Sequence, residues 1–232
     1  GMEVNDPEVQ KTITQELDAK NLKPVFLTQD EINNYYEGFS NEVLWPVFHY
    51  FPTYANYDQS YWDAYQEVNK KFRDAALEII EPGDTVWIHD YQLLLLPGLI
   101  RKEIPNVTIG FFQHIPFPSV EIFRLIPWRA ELLEGMIGAD LVGFHTFDDA
   151  RHFLSSVSRL LPVYASANVI NINDRCVVVE SFPMGIDYKK FEDMARQKEV
   201  LEQVEILKEN FSEHRMILSI DRLDYSKGIL QR

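Results

Sequence analysis

Short apolar runs alternate along this chain with amphipathic stretches, and this alternation constrains the fold more than any other feature. The apolar runs predict strands at 25–27, 85–89, 107–113, 139–145 and 177–182. The stretches between them predict helices at 59–80, 91–103, 119–135 and 147–161. Strands and helices that alternate at this length favour an α/β fold, in which a parallel sheet carries helices on both faces.

The balance of charges limits the partners of such a fold. With 36 acidic and 22 basic residues the net charge is −14, which argues against nucleic acid and against an anionic membrane, because both require a cationic surface. The sequence shows no leader and no apolar run of the about 20 residues that span a bilayer. Together with a single cysteine, Cys176, expected as a buried residue on a strand, this predicts a cytoplasmic protein.

Polar residues directly after the predicted strands are the first site candidates, because parallel sheets bind ligands beyond the carboxyl ends of their strands. Asp90 follows the strand at 85–89 and can accept hydrogen bonds from sugar hydroxyls, cap the next helix, or do both. His114 lies on a loop that Pro116 and Pro118 hold rigid. A functional histidine and a structural histidine bonded to backbone both fit this position.

A third candidate segment is rich in aromatic residues. Thr28 and Glu31 have the spacing of a capping box, which predicts that a helix starts there and carries Tyr36. Trp45 follows within the same segment. Aromatic side chains of this kind serve either as core or as a surface for sugars and phosphates, and the sequence alone leaves both uses open.

The last candidate is the loop at 221–228, after the apolar run at 216–220. Arg222 and Lys227 lie five positions apart in it, and a helix beginning near Gly228 would add free backbone N–H groups. This combination predicts a seat for a phosphorylated ligand. An ordinary solvated loop with two surface cations is the alternative.

Four motifs in sequence order carry a family resemblance. They are Tyr-Tyr-x-x-Phe-Ser-Asn-x-x-Leu-Trp-Pro at 35–46, Trp-Ile-His-Asp-Tyr at 87–91, Gly-Phe-Phe-x-His-Ile-Pro-Phe-Pro at 110–118 and Asp-Arg-Leu-Asp-Tyr-Ser-Lys-Gly at 221–228. From about residue 25 onwards the chain resembles the trehalose-6-phosphate synthase family. The resemblance implies a GT-B glycosyltransferase, which has two Rossmann-like domains, and a retaining transfer of glucose from UDP-glucose to glucose 6-phosphate. It implies no metal and no cofactor, UDP-glucose being a substrate.

The resemblance also assigns roles to individual residues. It implies that Tyr36 and Trp45 surround the glucose 6-phosphate and that Asp90 accepts hydrogen bonds from that sugar. His114 would lie beside the reacting sugars. Arg222 and Lys227 would hold the donor diphosphate, and with His114 they form the predicted catalytic group.

The same resemblance predicts a truncated organisation. Residues 1–187 would form an acceptor-side domain without the family's first strand and glycine-rich loop, 188–212 a connecting helix, and 213–232 the start of the donor-side domain. We therefore expect the chain alone to have little or no activity, and 213–232 to be poorly ordered or docked on the first domain.

Two other functions remain open. One is a different GT-B sugar-nucleotide transferase, and the other is a non-catalytic sensor of sugar phosphates. A homo-oligomer and a fused phosphatase domain in the parent chain are compatible with the sequence as well.

Overall fold

The computed structural model describes residues 4, 6–172, 174–213, 215 and 217–231. These residues group into two compact units, Gly1–Pro183 and Met184–Arg232. Compactness alone does not assign a segment to a domain. The predicted domains at 1–187, 188–212 and 213–232 therefore stay a prediction.

Six strands form one sheet in the first unit. They are β1 Thr85–His89, β2 Thr108–Phe112, β3 Leu141–Phe144, β4 Tyr164–Ser166, β5 Val169–Ile172 and β6 Arg175–Ser181, in the order β1-β2-β3-β6-β5-β4. The predicted α/β class is confirmed, and β1, β2, β3 and β6 are parallel. The sheet is nevertheless mixed, because β4 and β5 pair antiparallel. Only two residues join β4 to β5, with Ala167 at a φ of 53°, and so short a connection cannot join parallel strands.

The sheet has one covered and one open face within the described residues. Side chains alternate between the faces of a strand, and those of the covered face are Ile88, Ile109, Phe111, Val142, Phe144, Val177 and Val179. The open face carries Trp87, Leu141 and Val178, which are 68%, 37% and 38% exposed. In this part of the chain helices thus cover one face, whereas the sequence predicted both. Cys176 lies on β6 but is exposed, contrary to the prediction, because it points to the open face.

The helices of the first unit largely follow the predicted positions. They are α1 Pro7–Asp18, α2 Gln29–Glu31, α3 Trp45–Phe48, α4 Gln59–Leu77, α5 Leu96–Glu103, α6 Val120–Phe123, α7 Arg129–Met136 and α8 Phe147–Leu160, with a π-helix at Ile32–Leu44 and 3-10 helices at Pro52–Tyr54 and Tyr91–Leu93. The predicted helix at 119–135 is two helices, and Pro127 lies between them because it lacks the N–H that a helix interior needs. The capping box of Thr28 and Glu31 is confirmed.

No strand forms at 25–27, and that prediction was wrong. Among the described residues β1 is an edge strand that pairs with β2 alone. Val25 shares an apolar cavity with Val86 and Ile88 of β1 and with Phe72 of α4. Side-chain packing beside the edge of the sheet, without ladder hydrogen bonds, therefore accounts for this apolar run.

Among its described residues the second unit contains two α-helices where the sequence predicted one helix. They are α9 Tyr188–Ala195 and α10 Lys198–Asn210. Between them the N–H groups of Arg196 and Gln197 donate to carbonyls three residues back, and Gln197 then turns to an extended ψ of 143°. This tightening of the last turn ends α9 although no glycine or proline is present.

The apolar run at 216–220 lies near the end of the second unit. Residues 217–220 are not a strand, and Met216, which begins the run, lies outside the described residues. Two 3-10 helices follow, at Tyr225–Lys227 and Ile229–Gln231.

Candidate active site

Asp90 and His114 meet at the carboxyl ends of β1 and β2. The Asp90 N–H donates to the carbonyl of Phe112, the last residue of β2, at 2.8 Å. Asp90 Oδ1 accepts from the backbone N–H of Tyr91 at 3.0 Å and from that of His114 at 3.2 Å. Asp90 thus caps the 3-10 helix after β1, as one of its predicted roles requires, and it also fixes the His114 loop. Within the described part of the chain these bonds leave Oδ2 to accept from a ligand hydroxyl.

The backbone of Asp90 is strained. Its φ of 75° and ψ of 170° fall in a region that is essentially restricted to glycine. Such a conformation costs of order 1–3 kcal/mol and persists only where surrounding contacts hold it. The contacts with Phe112, Tyr91 and His114 supply that restraint. The carboxylate of Asp90 makes two backbone hydrogen bonds that a glycine at this position could not make.

His114 belongs to a cluster of rings. Its centroid lies 5.2 Å from that of His89, 4.8 Å from that of Phe112 and 5.6 Å from that of His145. Partial desolvation lowers the pKa of His114 although the residue is exposed, and His89 and His145 lower it further, whereas the Asp90 carboxylate opposes the shift. This shift favours the neutral ring, which has one donor and one acceptor nitrogen.

The segment that carries Tyr36 is a π-helix rather than an α-helix. Its hydrogen bonds join residues five apart, as between the Trp45 N–H and the Ser40 carbonyl. Because i→i+3 bonds give 3.0 residues per turn and i→i+4 bonds give 3.6, i→i+5 bonds give roughly 4.3. The step from 36 to 45 then makes about two full turns and sets Tyr36 and Trp45 on one side. In an α-helix the same step would set them on opposite sides.

Trp45 adjoins the Asp90 loop through Tyr91. The Trp45 and Tyr91 ring centroids are 5.8 Å apart, and Trp45 packs on His49 at 4.0 Å. The Tyr91 hydroxyl and Asn41 Oδ1 are 3.1 Å apart, which ties the loop to the π-helix. Trp45 thus lies beside the residue that follows Asp90. Tyr36 is 43% exposed and accessible to a ligand, but it is not one of the groups that these contacts join.

The two predicted phosphate-binding residues lie in the second unit. Arg222 is exposed, and Lys227 is half-buried at the end of the 3-10 helix Tyr225–Lys227. Gly228 is left-handed, with a φ of 61°, and the short 3-10 helix Ile229–Gln231 follows it. The described residues therefore contain no α-helix that begins near Gly228, and that prediction was wrong. The side chains of Arg222 and Lys227 remain the candidate phosphate-binding groups of this loop.

Two ring residues of the site were not predicted as site residues. His89 is the last residue of β1, and His145 directly follows β3. Both end predicted strands, so the rule that selected Asp90 and His114 would have found them had it included the final residue of each strand.

The described residues set two further limits. They contain no group of three or more histidine, cysteine, aspartate or glutamate side chains that could hold a metal ion. No helix in the described part of the chain has the length and apolar character needed to cross a bilayer.

A family model described as glycosyltransferase family 20 matches residues 1–232. The chain is 45% identical over 239 aligned positions to the UDP-forming alpha,alpha-trehalose-phosphate synthase of Pichia angusta, with 100% of the chain and 50% of the relative covered. The chain thus spans about half the length of the curated relatives it matches.

Solved structures are similar as well. An E. coli structure bound with UDP-2-fluoro glucose has a TM-score of 0.80 at 36% identity, covering 88% of this chain and 45% of its own. The structure of a UDP-forming alpha,alpha-trehalose-phosphate synthase from Burkholderia xenovorans in complex with glucose-6-phosphate has a TM-score of 0.80 at 31% identity. The match covers 89% of this chain and 46% of that structure. The N-terminal domain of Candida albicans trehalose-6-phosphate phosphatase has a TM-score of 0.77 at 38% identity. The match covers 90% of this chain and 46% of that structure.

Proposed function

The chain belongs to glycosyltransferase family 20, and from this membership we propose that it forms part of a retaining glycosyltransferase. The enzyme moves glucose from UDP-glucose to glucose 6-phosphate and yields trehalose 6-phosphate and UDP. The observation that carries the proposal is the family match over the whole chain. Relatives bound with a UDP-glucose analogue and with glucose-6-phosphate support both substrates.

The acceptor side of this reaction falls to the first unit. Asp90 Oδ2 accepts a hydrogen bond from a hydroxyl of glucose 6-phosphate, while Oδ1 keeps the His114 loop in place. The neutral His114 ring then interacts with a hydroxyl of the reacting sugars. Tyr36 and Trp45 bind the same sugar phosphate, and their shared side of the π-helix supports this role.

The donor side depends on local cations, since the net charge of the chain is −14. Arg222 presents a planar fork to the diphosphate and Lys227 a compact ammonium. Both neutralise charge that grows on the UDP leaving group as the glycosidic bond breaks, so that they stabilise the transition state more than the ground state. Loss of one such contact should cost about 2.7–4 kcal/mol of barrier.

Several features of the enzyme remain predictions. The domains at 1–187, 188–212 and 213–232, the inactivity of the chain alone, and the absence of a cofactor belong to this group. So do the cytoplasmic location, a homo-oligomer and a fused phosphatase domain.

A sugar-phosphate-binding domain without transferase activity is the second candidate. The observation in its favour is the similarity to a domain of a protein named as a trehalose-6-phosphate phosphatase. Such a domain would bind glucose 6-phosphate without releasing UDP.

The test is UDP release from UDP-glucose by the full-length protein, with glucose 6-phosphate, glucose or no acceptor. We expect release to require glucose 6-phosphate and to fall by a factor of about 10² or more in the Arg222→Ala, Lys227→Ala variant. The charge-matched control is Arg196→Ala, Lys208→Ala, which removes two exposed cations elsewhere in the second unit and should keep activity. Equal loss in both variants, or release that ignores the acceptor, would argue against the proposal.

A further inference from the structure

His89 contacts the ring of His114 directly. Its Nδ1 lies 2.9 Å from His114 Nε2, and the two rings stack at a centroid distance of 5.2 Å with 27° between their planes. Trp87 packs against His89 at 4.9 Å. His89 is thereby held against His114 by an aromatic neighbour on its own strand.

A hydrogen bond between two imidazole nitrogens needs one proton, carried by one of the two rings. If His114 Nε2 carries it, the neutral His114 ring has a bare Nδ1 that accepts hydrogen bonds. If His89 Nδ1 carries it, His114 has an Nδ1–H that donates. Whether His114 Nδ1 donates or accepts a hydrogen bond therefore depends on whether His89 Nδ1 carries a proton.

In both arrangements His114 is neutral and carries one ring proton, so a nearby charge acts on its cationic form and does not choose between them. The Asp90 carboxylate lies against the His114 backbone through the 3.2 Å hydrogen bond and favours the cationic form, but desolvation outweighs it and lowers the pKa of His114. Within the described part of the chain, the other titratable groups that act on His114 are His89 and His145. His145 meets it edge to face, with 62° between the ring planes, rather than through a ring nitrogen.

We propose that His89 is a positioning residue for His114. By accepting the Nε2–H of His114 at its own Nδ1, it fixes the ring orientation and leaves Nδ1 of His114 as an acceptor for a sugar hydroxyl. The catalytic consequence depends on the proposed function, whereas the hydrogen bond and the tautomer of His114 do not.

The direct test is NMR of the 232-residue chain labelled with ¹⁵N-histidine near neutral pH. We expect an Nε2–H signal for His114 that is protected from exchange. It should disappear in His89→Phe, which keeps the ring but has no acceptor. It should return in His89→Asn, because asparagine Oδ1 and histidine Nδ1 are both attached to Cγ. His145→Phe is the matched control and should retain the signal.

Two results would overturn the proposal. One is a wild-type His114 that carries its ring proton on Nδ1, and the other is a protected Nε2–H that persists in His89→Phe. His89 is exposed, so its variants should fold, and unchanged backbone amide spectra would confirm this.

The full-length protein supplies the second readout. Misplacing a catalytic group by about 1 Å costs up to about 10²-fold, so His89→Phe should lower kcat for UDP release at least about tenfold. KM for glucose 6-phosphate should change far less, and His89→Asn should recover most of kcat. An unchanged kcat in His89→Phe would refute a positioning role even with the expected NMR result. Absence of UDP release in the wild type would instead refute the proposed function and leave the NMR result standing.

Discussion

Because the backbone of Asp90 is strained, we predict that the Asp90→Gly variant is more stable than the Asp90→Ala variant. Asp90→Ala and Asp90→Gly both remove the carboxylate and its bonds to the Tyr91 and His114 N–H groups. Only glycine adopts a φ of 75° with a ψ of 170° at no steric cost. The difference between the two variants therefore isolates the backbone strain.

The magnitude follows from two opposing contributions. Relief of the strain stabilises the glycine variant by roughly 2 kcal/mol, the middle of its usual range. The greater freedom of glycine in the unfolded chain removes roughly 0.5–1 kcal/mol. Asp90→Gly should therefore unfold with a free energy about 1 kcal/mol higher than Asp90→Ala. Relative to the wild type, Asp90→Ala should lose about 2 kcal/mol, about 1 for each hydrogen bond.

The assay is urea unfolding of the chain, followed by tryptophan fluorescence. Thr108→Ala and Thr108→Gly, at an exposed position of β2, form the matched control pair. At that position glycine should be the less stable by roughly 0.5–1 kcal/mol. If the glycine variant at 90 were also the less stable of its pair, the inference of strain would be refuted.

Three further changes test other parts of the fold and site. In Gly38→Ala the new Cβ would lie 2.6 Å from Cδ1 of Tyr61, so the free energy of unfolding in urea should fall by about 1–3 kcal/mol. The loss should be smaller in a Tyr61→Ala background, and equal losses in both backgrounds would exclude the clash. Tyr65→Phe removes the buried hydroxyl that accepts from the Leu94 N–H at 3.0 Å. The free energy of unfolding in the same assay should fall by about 1–3 kcal/mol. An unchanged free energy would mean that this N–H finds another partner. Because the pKa of His114 is lowered in the folded state, its contribution to stability is present above the unfolded pKa of about 6.5 and is lost as the pH falls through the folded value. His114→Gln should therefore reduce the fall in the urea midpoint between about pH 7.5 and about pH 5.5, and an unchanged fall would contradict the shift.

The sequence predicted that Asp90 and His114 lie beyond the ends of two strands, and the structure places them there. They were selected because parallel sheets bind ligands beyond the carboxyl ends of their strands, and their roles stay predictions. The conformation of Asp90 could not be predicted, because no local sequence pattern indicates a positive φ at an aspartate. The contact of His89 with His114 also depends on the alignment of β1 with β2, which side-chain patterns do not give.

Other differences have similar causes. The π-helix was missed because apolar spacing in the segment that carries Tyr36 does not separate i→i+5 from i→i+4 hydrogen bonding. The strand prediction at 25–27 failed because an apolar run packs equally well beside a sheet edge. Around Gly228 the motif predicted a loop that carries two cations, and a loop is present. Gly228, at a φ of 61°, ends a turn there instead of starting a helix.

The most direct test of the synthase assignment is the identity of the product. The full-length protein would be given ¹³C-labelled UDP-glucose and glucose 6-phosphate, and the reaction followed by NMR. The account predicts equal amounts of UDP and trehalose 6-phosphate, with the labelled glucose keeping its anomeric configuration. Binding of glucose 6-phosphate without product, or a labelled sugar on another acceptor, would contradict it.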